Sequence, residues 1–352
     1  MAEKKFKAGI LGLNPKGQAL LEAAEQCGHY EVVAVAGLDA ETLPQIAQKY
    51  QAQAYGDYRQ VVAQNDLDVL FVAGSMRLCD EHVRAALRKG CDVVRLVPPA
   101  LDFEQAAELV LTARKEKTRF IVANPRRFAP SFKDMRSYLH EEGADTFHLI
   151  SAVTNAPQGF DDPRDRWLTD PHLAGGGVLL HDCYGLIDQI LLSFPLPQQV
   201  YSINTNHAPD RQQRLSLTED TAVVTMRFSD TLLGNLSTSR TFGPWLCRLR
   251  VHKDDGYAIV TDDRLTIHDN DGRILQERSY VYDESQLMRE LLENVAQHKR
   301  HPRKVKLLAE SDDDLRTMAV IQAAYVSART AAAEEPAKIL DMARAVPARL
   351  WG

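Results

Sequence analysis

From Phe6 to Pro125, short apolar runs alternate with stretches of helical spacing, and this alternation constrains the fold more than any other feature. FKAGILGL, YEVVAVAGL, DVLFVAGS, CDVVRLV and TRFIVANP are compact apolar blocks bounded by turn formers. Between them lie KGQALLEAAEQC, DAETLPQIAQKY, CDEHVRAALRKG and DFEQAAELVLTARKEK, which place apolar residues on one side of a helix. Strands apolar on both faces and separated by helices predict a parallel sheet covered on both sides, a doubly wound α/β domain over residues 1–125.

Beyond Pro125 the pattern changes. TFHLISAVTN, QVYSINTNH, TAVVTMRFS, LLGNLSTSR, CRLRVHKD and GYAIVTDD alternate in character and are joined by turn residues. Residues 126–335 therefore read as an α+β domain built on a large, mostly antiparallel open sheet with one exposed face. One long helix, GGVLLHDCYGLIDQILLSF, precedes most of the strands, and two follow around Ser285–His298 and Asp313–Arg329. Residues 336–352 read as a tail.

Composition excludes several classes. Lys and Arg number 42 against 48 Asp and Glu, a net charge of −6, with no arginine-rich stripe, which argues against a nucleic-acid binder. KRHPRKVK (299–306) is the one basic cluster and reads as a solvated helix end. Five cysteines, Cys27, Cys79, Cys91, Cys183 and Cys247, form no C-x-x-C pair, so neither a disulfide framework nor a metal site is expected. No apolar stretch reaches the length of a membrane span. The basic, then apolar N-terminus lacks the length and small-residue site of a signal peptide, so a cytoplasmic protein is expected.

The first strand runs into Gly12-Leu13-Asn14-Pro15-Lys16-Gly17, close to the G-x-G-x-x-G dinucleotide fingerprint and in its strand-to-helix context. Asn14 stands where the middle glycine lets backbone approach a pyrophosphate. Lys16 and the helix N-terminus offer electrostatic compensation. The alternative is a plain strand-to-helix turn. Asp39, past the end of the second strand, is the candidate for the ribose hydroxyls, or else a helix cap. Arg166 and Trp167 are candidates to hold a sugar-like ring, against Trp167 as core packing.

GILGLNPKG, YGDYRQVV, HVRAALRKGCDVV, NPRRFAPSF, GGGVLLHDCYGLID, EDTAVVTMRF, LGNLSTSRT and AAYVSART, in this order and spacing, resemble the glucose-fructose oxidoreductase / inositol dehydrogenase / MocA (Gfo/Idh/MocA) family of NAD(P)-dependent enzymes. The resemblance implies an N-terminal Rossmann domain, NAD or NADP as cofactor, no metal, and an open sheet that commonly forms the oligomer interface. It also places Ser75 and Pro98 beside the cofactor, and Asn124, Arg127 and Phe128 among the retained positions, with Arg127 in the substrate pocket.

The same resemblance exposes losses. The family's Glu-Lys-Pro falls on Leu96-Val97-Pro98, so the Lys that assists proton transfer is Val97, which neither donates nor titrates. After the intact Gly175-Gly176-Gly177, the family's Asp position is His181 and its acid/base His is Gly185, four residues on and on the same helix face. Thr-Pro-Asn beside the nicotinamide becomes Gly74-Ser75-Met76. His181, Asp182 and Tyr184, within one helical turn, are the candidate replacements. His181 is either a relocated acid/base or a buried, hydrogen-bonded histidine.

The expectation is a family member without standard dehydrogenase chemistry, a binding, regulatory or accessory protein for a sugar-like or nucleotide ligand. The alternative is an active NAD(P)-dependent oxidoreductase with a rearranged site around His181. A homodimer or homotetramer through the C-terminal sheet is expected in either case.

Overall fold

The computed structural model describes residues 3–39, 41–157, 166–206, 218–241 and 243–345. The first sheet holds β1 (Phe6–Leu11), β2 (Tyr30–Ala36), β3 (Gln53–Tyr55), β4 (Val69–Val72), β5 (Asp92–Leu96) and β6 (Phe120–Ala123). Its order is β3-β2-β1-β4-β5-β6, and every pair is parallel. Parallel strands need crossover helices, which cover both faces. These are α1 (Pro15–Cys27), α2 (Thr42–Tyr50), α3 (Tyr58–Gln64), α4 (Met76–Arg88) and α5 (Phe103–Lys115). Ile10, Val35, Leu70, Phe71, Val93 and Ile121 are accordingly sealed from solvent. Strand order reverses between β1 and β4, and the crevice at their carboxyl ends is where such a sheet receives a ligand.

The second unit comprises α6 (Pro130–Glu142), β7 (Phe147–Asn155), α7 (Pro171–Ala174), α8 (Val178–His181), α9 (Tyr184–Ser193) and β8 (Gln199–Thr205). It continues through β9 (Thr221–Arg227), β10 (Leu233–Ser239), β11 (Leu246–Lys253), β12 (Gly256–Thr261), β13 (Arg264–Asp269) and β14 (Ile274–Ser279). The chain closes with α10 (Glu284–Arg300), α11 (Ser311–Thr330) and α12 (Pro336–Ala345). The eight strands lie in the order β14-β13-β12-β11-β7-β10-β9-β8, antiparallel except for the β7–β10 pair. Val224, Met226, Leu236, Leu249, Val251 and Val260 are buried on the inner face. The outer face leaves Tyr201, Ile203, Val223 and Leu233 exposed on neighbouring strands.

Four expectations are corrected. The single long helix is two, α8 and α9, because the Val178 carbonyl accepts from both Asp182 N and Cys183 N at 3.0 Å, which inserts an extra residue into the turn. The 336–352 tail contains α12, whose Ile339 is buried where the helix lies against α11 and α5. KRHPRKVK is not wholly a solvated end. Lys299 Nζ lies 2.7 Å from the carboxylate of buried Asp92, and Arg300 donates to the Lys4 carbonyl at 2.9 Å, because α10 packs back on α1 of the first unit. β13 and β14 were not anticipated, since β14 is exposed at every position and shows no alternation. Among the described residues, no helix is long and apolar enough to cross a membrane.

Candidate functional site

The crevice at the switch point is a pocket walled by the β1–α1 turn, the carboxyl ends of β4 and β5, and the Trp167–His181 side of the second unit. Its glycines are dictated by close approach. Gly12 has φ +96°, and a Cβ there would run into the Gly74 backbone. A Cβ on Gly17 would overlap the Gly12 carbonyl.

Asn14 answers the question its substitution raises. Its backbone is extended, at φ −65°, and its Oδ1 accepts from Gly17 N at 2.9 Å while Nδ2 donates to the Ala73 carbonyl at 3.3 Å. It is the N-cap of α1, a role to which asparagine is well suited. This engages the Gly17 N–H, one of the groups a phosphate would use. Pro15, the first helical residue, has no N–H, and the Gly17 N–H is capped, so Lys16 alone of the first three residues keeps a free helix-terminal donor. Asp39 is likewise engaged locally, in the turn that leads into α2. Its carboxylate accepts from Glu41 N at 3.0 Å and from the Thr42 hydroxyl at the start of α2. Two groups of the family's grip on a dinucleotide, the N–H of the third glycine position and the acid for the ribose, are thus engaged within the chain.

At the end of β5, Val97 and Pro98 form an apolar corner in the pocket wall. Beneath them lies Arg95, 3% exposed, donating from Nε to the Pro98 carbonyl at 3.2 Å and from Nη2 to the Gly74 carbonyl at 3.3 Å. Ser75 stands nearby but turns away, its hydroxyl 3.4 Å from the Leu173 carbonyl.

Of the candidate replacements, only His181 reaches the pocket. Its Nε2 lies 2.9 Å from the Ala174 carbonyl, which can only accept, so Nε2 carries the proton. Trp167, also in the wall, meets it edge-on at 5.7 Å between ring centroids. Burial, followed by the Arg240 charge, pushes the His181 pKa down to about 3, which keeps the ring neutral. Asp182 is bound to Arg240. Tyr184 is fully buried, and its hydroxyl donates to Asp314 Oδ1 at 3.0 Å in the core. The three candidates thus point to three places: the pocket, Arg240 and the core.

The same break separates His181 from Gly185. A Cβ on Gly185 would meet Asn124 Oδ1 at 3.2 Å and Arg126 Nη1 at 3.4 Å. Both neighbours are fixed. Asn124 Nδ2 donates to Asp188 Oδ2 at 2.8 Å, and Arg126 donates to both Asp262 oxygens at 3.1 and 3.2 Å. Arg127 is corrected from substrate pocket to core. Its guanidinium holds Asp188 at 2.6 and 2.8 Å, Asp314 at 3.1 Å and the Leu308 carbonyl at 2.9 Å, a network sealed from solvent. The side chain of Arg166 lies outside the described residues.

The sequence reading missed three residues. Arg95 is the one basic residue inside the strand run CDVVRLV, which is the signal that could have marked it. Arg126 carries no comparable signal. Glu219 accepts from Gly177 N at 2.8 Å, Leu179 N at 3.0 Å and the Tyr325 hydroxyl at 2.8 Å, and so holds the triple-glycine turn beneath His181. No group of three or more metal-ligating side chains occurs among the described residues.

A Rossmann sheet with a pocket at its switch point, backed by a large open-sheet unit, defines a two-part oxidoreductase architecture. Residues 6–124 match the model of the oxidoreductase family's NAD-binding Rossmann fold, and residues 132–259 match that of the GFO/IDH/MocA C-terminal domain. The chain belongs to the Gfo/Idh/MocA family, an NAD(P)-binding oxidoreductase family with sugar and inositol dehydrogenases among its members. It is 30% identical over 156 residues to trans-1,2-dihydrobenzene-1,2-diol dehydrogenase of Xenopus laevis, a match covering 44% of this chain and 46% of that protein. It is 25% identical over 281 residues to a scyllo-inositol 2-dehydrogenase (NADP(+)) of Bacillus subtilis, covering 76% and 81%. The chain thus spans about half the length of the dihydrodiol dehydrogenases it matches. Among solved structures, levoglucosan dehydrogenase in complex with NADH and levoglucosan superposes with TM-score 0.84 at 14% identity, over 94% of this chain and 99% of that one. An oxidoreductase of Thermotoga maritima does so with TM-score 0.81 at 18% identity, over 96% and 100%. At these identities the structures speak to the fold.

Proposed function

We propose that this chain has left the dehydrogenase chemistry of its family and acts as a ligand-binding, regulatory or accessory protein. One observation carries the reading. The position of the family's acid/base histidine is Gly185, and the space beside it is taken by Asn124 and Arg126, each anchored to a carboxylate. Val97 at the family's lysine position agrees with it, as does a β1–α1 turn in which Asn14 takes the Gly17 N–H and Pro15 has none to offer. Hydride transfer to or from a carbinol needs a docked nicotinamide and a group that handles the hydroxyl proton, and support for both is missing here.

The rival reading, an NAD(P)-dependent oxidoreductase acting on a sugar- or cyclitol-like substrate through His181, is favoured by one fact: His181 lines the pocket. A ring held neutral down to about pH 3 is a poor base near pH 7, and its Nε2 is engaged. The experiment that separates the readings follows reduced-nicotinamide absorbance across a panel of polyols and aldoses. The proposal expects no turnover. Robust turnover that vanishes in His181→Ala installs the rival.

The outer face of the second sheet supports self-association. Ile203 pairs with Val223, Tyr201 with Thr225, and Asn235 with Thr225 and Ser151, which makes an uncharged strip across β8, β9, β10 and β7. We read this strip as the contact of a homodimer or homotetramer.

A further inference from the structure

We propose that the pocket is an oxyanion site, in which Arg95 and Lys16 receive the carboxylate or phosphate of a small ligand. The inference rests on the ligand-binding reading for its use and on Arg95 for its chemistry. Among the described residues, every other arginine buried this deeply holds a carboxylate: Arg127 holds Asp188 and Asp314, and Arg240 holds Asp182. Arg95, at 3% exposure, has only the Pro98 and Gly74 carbonyls, and no carboxylate of the described residues lies within ion-pair distance. Asp80, whose charge bears on it, is paired with Arg84 at 2.8 Å, and Arg84 in turn with Glu108. A guanidinium stays charged in proteins, and a buried charge is costly unless an opposite charge meets it.

That charge borders the pocket. Nε and Nη2 are used on carbonyls, Nη1 takes no bond among the described residues, and Arg95 forms part of the pocket wall. Lys16 lines the same wall from the first turn of α1. Its capped turn makes this a side-chain site and not a helix-terminus one. His181 senses both cations, since Arg95 and Lys16 add to the burial and Arg240 effects that lower its pKa. The pocket, about 60 Å³, has room for a small head group. An oxygen placed there accepts charge-assisted hydrogen bonds from Nη1 and the Lys16 ammonium, with Trp167 as a flat apolar wall beside it.

The test uses the full chain without nicotinamide. Its thermal midpoint and calorimetric binding are followed with sodium phosphate, acetate and gluconate against chloride at matched ionic strength. The expected result is a rise in midpoint specific to phosphate or to the carboxylates, the stronger of the two identifying the head group. Lys16→Ala, an exposed position that should leave the fold intact, is expected to weaken binding about fivefold, and Arg95→Met about tenfold or more. If Arg95→Met does not fold, Lys16→Ala decides. The proposal is overturned if chloride matches the oxyanions, or if Lys16→Ala leaves the affinity unchanged. Polyol turnover together with Lys16-dependent oxyanion binding would defeat the proposed loss of chemistry and leave this site standing. Absence of both would do the reverse.

Discussion

Returning a histidine to position 185 is the sharpest probe of the filled space. Gly185 lies in α9, so Gly185→Ala gains helix propensity of about 1 kcal/mol, set against a new Cβ at 3.2 Å from Asn124 Oδ1 and 3.4 Å from Arg126 Nη1. The two effects nearly cancel, and Ala should fall within about 1 kcal/mol of the parent protein. An imidazole must go further and displace a neighbour. Moving Arg126 breaks its two bonds to Asp262, and moving Asn124 breaks its 2.8 Å bond to Asp188. Overpacking costs about 1–3 kcal/mol, and separating a largely buried ion pair adds to it. Gly185→His should therefore be destabilised by roughly 3 kcal/mol relative to Gly185→Ala. Urea midpoints of the three proteins, with the slope checked for constancy, give the comparison. A Gly185→His protein as stable as Gly185→Ala would refute the claim that Asn124 and Arg126 own the space.

Other outcomes follow from the surrounding geometry. Glu219→Ala leaves Gly177 N, Leu179 N and the Tyr325 hydroxyl without their carboxylate and should cost about 3 kcal/mol, read as a lowered denaturation midpoint; a change below about 0.5 kcal/mol would contradict it. Burial raises the Asp314 pKa to about 7, above its unfolded value near 4, so the folded state holds this proton more tightly. The stability it supplies is full below about pH 4 and is lost as pH rises toward 7. Asp314→Asn should gain on the parent protein across that window, and an unchanged difference between pH 4.5 and 7.5 would sink the assignment. Light scattering should give a dimer or tetramer mass, falling in the Asn235→Arg, Ser237→Glu double variant; a monomer, or an unchanged oligomer in the variant, would refute the sheet contact.

Much of the fold was legible because burial writes itself into apolar runs. Strands β1, β2, β4, β5 and β6 are each a compact block of buried residues, and their alternation with helices gave the parallel sheet. β3 is three residues long with two of them exposed, too short and too polar to leave a pattern. The α8–α9 break was invisible because HDCY contains neither glycine nor proline, and the extra residue is set by a shared carbonyl. In the site, the departures at Val97 and Gly185 from the family's Lys and His were readable residue by residue. What replaced them was not, since Arg126 reaches Gly185 from 59 positions earlier in the chain and only packing brings the two together. Asn14 carried its own signal, a capping residue directly before proline, which marks a helix start as firmly as a damaged fingerprint.

The central claim is that a Rossmann domain persists here without its cofactor grip, and calorimetric titration with NADH and NADPH tests it most directly. The account predicts weak or absent binding, with dissociation constants well above about 100 μM, because Pro15 and the Asn14 cap leave a single helix-terminal donor and Asp39 is committed to α2. A dissociation constant of a few μM for either nucleotide would contradict it.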